Sequence, residues 1–592
     1  MAKIVDEQPM PANDSPGAGS AAPASLTEVQ HWTGVIGQAQ QMLMEQLAKM
    51  ADKLPAEMIA SPMSLPMLVD PAKLADQNND LIQAGLGLFG KLLDGQSGAT
   101  AAQDRRFKAQ QWRETPIFGV IADAYLLICD AWLKGVDAVE GLDPRQHEKL
   151  KFATRLWADA LSPANFPLTN PLVLERIFET RGENLLRGLE HMLADVGKGQ
   201  LTHTDADAFE LGVNIATTPG KVIYETPLYQ LIQYSPTTDE VLETPLLIFP
   251  AWINRFYILD LNPANSFIRW AVSQGLSVFV VSWKSADESM ADLTMDDYVV
   301  RGQVEAIDTV RKALNVDKVH TIGYCVAGTA LAMTLAYLAA KGEAEKVASA
   351  TFFTAQVDFS EAGDLNLFVD DEQLAMIDTL TQGSGVIDGR YIAATFNLLR
   401  GRDLIWNYVV ENYLLGEAYP AFDLLYWNSD TTNLPAKWHR AYIEQLYRDN
   451  LLVEPDRLKI DGVPLDLRRI RTPAYVQAGR EDHIAPSRSV WKMMHHLSGP
   501  NRFLLAGSGH IAGVVNPPEA QKYQHWTYEH AVDSLDAFME VATETKGSWW
   551  PDWRAWIERQ GAVTVPVKGG RLPGQGKLKA IEDAPGRYVR SR

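Results

Sequence analysis

Six short runs rich in β-branched, leucine and aromatic residues constrain this chain more than any other feature. They are 245–250 (PLLIFP), 277–283 (SVFVVSW), 318–323 (KVHTIG), 347–354 (VASATFFT), 472–479 (TPAYVQAG) and 501–507 (NRFLLAG). A strand with one wet face alternates polar and apolar residues. These runs do not alternate, so both of their faces are covered, as in a parallel sheet between layers of helix. Helical stretches between them, such as 299–314 (VVRGQVEAIDTVRKAL), provide the crossovers that parallel pairing requires. The fold class is α/β, doubly wound, from about residue 205 onward.

The texture before that point is different. Residues 26–204 carry apolar positions three and four apart, as in 31–54 and 123–142, which predicts an all-α N-terminal domain. Residues 1–25 are dominated by Pro, Gly, Ala and Ser and lack the apolar core of a secretory signal, so they read as a disordered leader. Within the 205–592 region, the stretch from about 358 to 471 breaks the strand–helix rhythm with many aromatics and is too long for a simple loop. It reads as a cap inserted between two strands.

Composition narrows the function. A length of 592 residues favours more than one structural unit, and a net charge of −20 argues against phosphate-backbone binding, so no nucleic-acid partner is expected. The two cysteines, Cys129 and Cys325, cannot form a disulfide scaffold and fit a reducing, intracellular setting. The longest nearly apolar run, 325–340, is shorter than the ~20 residues a membrane span needs. It contains Thr329 and Thr334 and reads as a buried helix, so no transmembrane segment is expected. The sequence holds no ligand cluster with metal spacing, P-loop or dinucleotide fingerprint, and no bound cofactor is expected.

The chemistry concentrates at Gly323-Tyr324-Cys325-Val326-Ala327-Gly328, where a predicted strand meets an Ala/Leu-rich helix. A strand, a tight turn and a helix form a nucleophile elbow, which lifts the central side chain above the sheet edge and needs small neighbours. Gly323, Ala327 and Gly328 supply them, although the usual pattern has glycine where Ala327 stands. Gly95-Gln96-Ser97-Gly98-Ala99 fits the same relaxed pattern but follows no strand, so Ser97 is set aside as a turn residue. Cysteine alone in an apolar stretch is as readily a core residue as a nucleophile.

Its partners tip the balance. A free thiol is only a few per cent thiolate at neutral pH and needs a base. Arg480-Glu481-Asp482-His483 follows one predicted strand, and Ser508-Gly509-His510 follows the next. Both lie just past a strand's C-terminal end, where open α/β sheets bind ligands, in the acid-then-histidine order of α/β-hydrolases. Cys325, Asp482 and His510 are the preferred nucleophile, acid and base, with Glu481 as alternative acid and His483 as alternative base. The backbone N–H of Val326 and one from the loop after 245–250, at Ile253 or Trp252, are the candidate oxyanion donors.

The chain resembles class I polyhydroxyalkanoate synthases, on the α/β-hydrolase fold. The carriers are GYCVAG, INRFYILDLNP, VSWKSAD, WNYVVENYL, FDLLYWNSDTTNLP, GREDHIAP, GSGHIAGVVNPP and GSWWPDW, together with LSPANFPLTNP in the N-terminal region. The resemblance implies an acyltransferase that polymerises (R)-3-hydroxyacyl-coenzyme A, with 3-hydroxybutyryl-coenzyme A the expected substrate. Coenzyme A is released through a thioester on Cys325, with His510 as base and Asp482 behind it. It also implies a homodimer, a cytoplasmic enzyme on the surface of a polymer granule beside the growing polyester chain, and contact with granule-coating proteins. SADESMADLT after VSW looks like the short-chain class. Arg400 and Arg402 are candidates for coenzyme A phosphates, with surface ion pairs the competing reading. The Trp-rich 547–556 segment reads as packing, and 568–592, with seven basic residues against Glu582 and Asp583, as a solvated tail. A cysteine thioesterase or depolymerase on the same fold, and an inactive granule scaffold, are the rival functions.

Overall fold

The computed structural model describes residues 68–69, 83–85, 87–88 and 101–591. The leader 1–25 and Ser97 lie outside the described residues, as does most of 26–100.

All six apolar runs form strands, and they lie together. In chain order the sheet strands are β1 (Gly220–Glu225), β2 (Tyr229–Tyr234), β3 (Leu246–Phe249), β4 (Val278–Trp283), β5 (Val319–Tyr324), β6 (Val347–Phe353), β7 (Ala474–Gly479), β8 (Asn501–Ala506), β9 (Gln524–Thr527), β10 (Thr543–Lys546) and β11 (Glu582–Asp583). They hydrogen-bond in the order β10-β9-β8-β7-β6-β5-β3-β4-β2-β1-β11. The block from β8 to β4 is parallel, with Ile322 of β5 level with Ile248 of β3 and Thr351 of β6. Antiparallel strands extend both edges. Every residue of β3, β4, β5 and β7 is buried, which is why these strands are mostly apolar and show no alternation.

The N-terminal region is mostly helical. Its longer helices are α1 (Pro116–Asp137), α2 (Pro144–Ala160), α3 (Pro171–Thr180) and α4 (Glu183–Lys198). The first three open on proline, whose fixed φ suits the first helical position and whose missing N–H costs nothing there. Asp143 and Gln146 close a capping box on α2. A two-residue ladder, Leu68–Val69 with Val139–Glu140, is the one departure from all-α among the described residues of this region.

The expectation of no transmembrane segment meets one candidate among the described residues: by length and composition α1 is long and apolar enough to cross a membrane. It is tied down by two buried groups: Asp123 accepts from the Ala101 N–H at 2.8 Å, and Tyr125 Oη donates to the Ala158 carbonyl at 2.6 Å. Ile117, Ile128 and Trp132 of the same helix are exposed and lie within about 60° of one another around its axis.

The tail also differs from expectation. Glu582–Asp583 pairs with β1, Val589 is buried, and the buried Arg571 donates to the carbonyls of Leu242 and Glu243. The segment is docked by backbone pairing, not solvated.

Candidate active site

Cys325 stands where β5 turns into α5 (Val326–Ala340), with φ 54° and ψ −126°. Positive φ is strained for a residue with a Cβ, and the packing on both sides enforces it. A Cβ on Gly323 would come within 2.5 Å of the Gly328 Cα, and one on Gly328 within 2.4 Å of the Ala355 Cβ. The strand and helix therefore meet through Gly323 and Gly328. The second close approach falls one residue after Ala327, whose methyl is fully buried and whose carbonyl accepts from Gln303 Nε2 at 2.9 Å. That explains how the elbow forms without glycine at 327. α5 is buried on nearly all sides, as an all-apolar helix must be.

His510 follows β8 and Asp482 follows β7, so the parallel register of these neighbours sets the two groups side by side. His510 Nδ1 lies 2.8 Å from Asp482 Oδ2, and a carboxylate can only accept, so Nδ1 carries the proton. Asp482 Oδ1 accepts from the N–H groups of Ile484 (2.8 Å) and Ala485 (2.9 Å), leaving a fully buried carboxylate well satisfied. Cys325 is the second group to act on the imidazole, and the two side chains line one cavity. Burial opposes charge on His510, but the Asp482 carboxylate and the Cys325 sulfur outweigh it and push the imidazole up to about 10.

The two alternatives separate cleanly. Glu481 is exposed, and the carboxylate at hydrogen-bond distance from the imidazole is that of Asp482. Burial, with a smaller contribution from Arg400, pushes His483 down to about 4, and its buried Nδ1 has no hydrogen-bond partner. The Asp482 carboxylate is committed to His510.

Several supports were not evident in the sequence. Tyr324, beside the nucleophile, stacks on His510 at 5.6 Å between ring centroids and donates to its carbonyl at 3.0 Å. The buried Trp549 and Trp550 donate to the carbonyls of Gly513 (2.7 Å) and Val514 (2.9 Å), fixing the loop that carries His510. The tryptophan cluster is thus internal packing, as expected for this segment.

Cys325 and His510 open on a cavity of about 230 Å³. Its floor includes Ile253, Asn254, His483 and Ile511; its roof, with Ile392, Phe396, Leu404 and Trp427, comes from the segment between β6 and β7. That segment includes α6 (Gly389–Leu399). Trp252 faces away from the cavity, stacked on Tyr298 at 4.4 Å between centroids. Arg400 pairs with Asp403 and Arg402 with Asp159, so both guanidinium groups are engaged in ion pairs. Among the described residues no cluster of His, Cys, Asp or Glu is able to hold a metal.

A family model described as the N-terminus of poly-beta-hydroxybutyrate polymerase matches residues 103–271, and one for the alpha/beta hydrolase fold matches 244–517. A poly(3-hydroxyalkanoate) polymerase of Methylorubrum extorquens is 43% identical over 537 residues, covering 89% of this chain and 88% of its own. The chain belongs to the poly(3-hydroxyalkanoate) polymerase family. Polymerase subunits of Rhizobium meliloti (42% over 536 residues; 89% of this chain, 87% of that one) and Cupriavidus necator (41% over 530; 88% and 89%) agree. It is an enzyme of acyltransferase type on an α/β-hydrolase core. The polymerase-family N-terminal match runs past the last N-terminal helix and through β1 to β3, so in this family the helical region and the first sheet strands recur together.

Proposed function

We propose that the protein polymerises (R)-3-hydroxyacyl-coenzyme A, with 3-hydroxybutyryl-coenzyme A the preferred substrate, through an acyl thioester on Cys325. The observation that carries this reading is His510 set between the Asp482 carboxylate and the Cys325 sulfur beneath a largely apolar roof. In the first step the sulfur of Cys325 adds to the thioester carbonyl. The carbon–sulfur bond to coenzyme A breaks, and coenzyme A leaves as the thiol with a proton from His510. Backbone N–H groups of Val326 and Ile253 are the proposed donors to the carbonyl oxygen as it becomes anionic.

Thioester exchange is nearly isoenergetic, so the acyl group stays activated on Cys325. Acylation also changes the base. Two of the causes that raise His510 come from Cys325, and both weaken once the sulfur is acylated. The imidazole then falls toward neutrality and can take the proton of an incoming 3-hydroxyl, whose oxygen attacks the thioester carbonyl. An ester bond forms, the Cys325 sulfur leaves, and the chain is one unit longer. Asp482 keeps the Nδ1 proton in place, so that the other nitrogen faces the reaction. The roof limits water, which would otherwise hydrolyse the intermediate.

The same reading makes the enzyme a cytoplasmic homodimer on its polymer granule, in contact with granule-coating proteins. The exposed apolar side of α1 supports a granule-facing role. Incubation with 3-hydroxybutyryl-coenzyme A tests the reaction: coenzyme A release with turbidity from insoluble polyester is expected. Release accompanied only by free 3-hydroxybutyrate would assign a thioesterase instead.

A further inference from the structure

A second cavity, of about 440 Å³, abuts α6 on the face next to the one that lines the Cys325 cavity. It sits between α4 of the N-terminal region and the segment that roofs the catalytic cavity. Ala393 and Asn397 of α6 line both cavities, so one helix is their common wall and the alanine is its smallest side chain. Polar contacts between the two regions frame it: Tyr413 Oη donates to Asp195 (2.7 Å), Arg390 to the Lys198 carbonyl (2.9 Å) and Gln200 to the Ser429 carbonyl (3.1 Å).

The chemistry of the wall selects the occupant. Met192, Val196, Leu201, Leu398 and Ile405 are apolar. Of the charged residues there, Arg390 is occupied by Asp388 and the Lys198 carbonyl, and Asp195 is a carboxylate that repels anions. A phosphate-bearing coenzyme A is therefore disfavoured, whereas a neutral chain of esters suits such a lining. We infer that this cavity receives the growing polyester, which passes from Cys325 across α6 at Ala393 and leaves between α4 and the roof. The inference rests on the polymerase reading above. It gives α4 a direct part in holding the product.

The test uses the full chain and coenzyme A thioesters of 3-hydroxybutyrate oligomers of increasing length, each with a photoreactive terminal group. Cys325 is acylated, the sample irradiated and the cross-links mapped. Short oligomers are expected to label the catalytic cavity, at Phe396 for instance, and longer ones Met192, Val196 or Leu201. An acyl-Cys325 adduct whose longer oligomers label only other surfaces overturns the passage alone; no adduct on Cys325 overturns the polymerase reading and the passage with it. A second measurement uses Val196→Trp, at a half-exposed position where a larger side chain can be accommodated. Polymer molar mass should fall several-fold while KM for 3-hydroxybutyryl-coenzyme A stays within about twofold. A raised KM with full-length polymer would assign the cavity to substrate entry, and unchanged molar mass would equally overturn the inference.

Discussion

Asp482→Asn is the sharpest perturbation of the proposed chemistry, because it removes one charge and little else. Asparagine Oδ1 can still accept from the N–H groups of Ile484 and Ala485, so the loop after β7 should keep its shape. The side that faces His510 changes from acceptor to NH₂ donor. Nδ1 must then accept, which moves the ring proton to the nitrogen facing Cys325 and leaves no lone pair for the thiol proton. The electrostatics change in the same direction. Holding an imidazole at about 10 instead of 6.5 corresponds to about 5 kcal/mol in favour of the imidazolium, at 1.36 kcal/mol per tenfold, and Asp482 is foremost among the groups that raise it. Removing a carboxylate at hydrogen-bond distance lowers the imidazole by about one to three pH units. Coenzyme A release with 3-hydroxybutyryl-coenzyme A should therefore slow by about 10²- to 10⁴-fold, with the alkaline limb of kcat/KM displaced to lower pH. A variant within tenfold of the parent, or one whose alkaline limb stays put, would refute the role given to Asp482.

Further predictions follow from the same geometry. Alkylating Cys325 with a small neutral group should lower the His510 titration, read by NMR, because both contributions of the sulfur weaken; an unchanged value would show that the sulfur and imidazole do not interact. The folded value of His510 lies above its unfolded 6.5, so its stabilisation is complete below that pH and disappears as pH rises through about 10. His510→Gln should accordingly cost more stability near pH 6 than near pH 10 in chemical denaturation. Gly323→Ala forces a Cβ to within 2.5 Å of backbone and should destabilise the fold by about 3 kcal/mol or more, or leave it insoluble. Ala327→Gly, by contrast, should cost about 1–2 kcal/mol of stability from a lost buried methyl and a glycine in a helix, while coenzyme A release stays within about threefold.

The parallel strands were legible because burial on both faces removes the polar–apolar alternation of a strand with one wet face, and the elbow because a glycine-rich turn joined such a strand to an apolar helix. Asp482 and His510 followed from their place just past β7 and β8. What escaped notice depends on long-range geometry. β11 is two acidic residues that join the sheet by backbone pairing with β1 and by contacts with Lys221 and Gln230, partners more than 350 positions away, so nothing local in their side chains announces a strand. Arg571 is buried because carbonyls of Leu242 and Glu243, far away in sequence, receive its guanidinium. α1 forms no unbroken apolar run, because Asp123, Asp130 and Lys134 interrupt an otherwise apolar helix. The choice between His483 and His510 required the ring contacts, since both follow the right strands. The second cavity arises only where α4 meets α6, which no local pattern encodes.

The central claim is that the acyl group rests on one sulfur atom. Rapid mixing with 3-hydroxybutyryl-coenzyme A, acid quench and peptide mass analysis should find the 3-hydroxybutyryl thioester on the peptide containing Cys325, and none in Cys325→Ala, which should release no coenzyme A. Coenzyme A release that persists in Cys325→Ala, or an acyl group found on a different residue of the parent protein, would contradict the account.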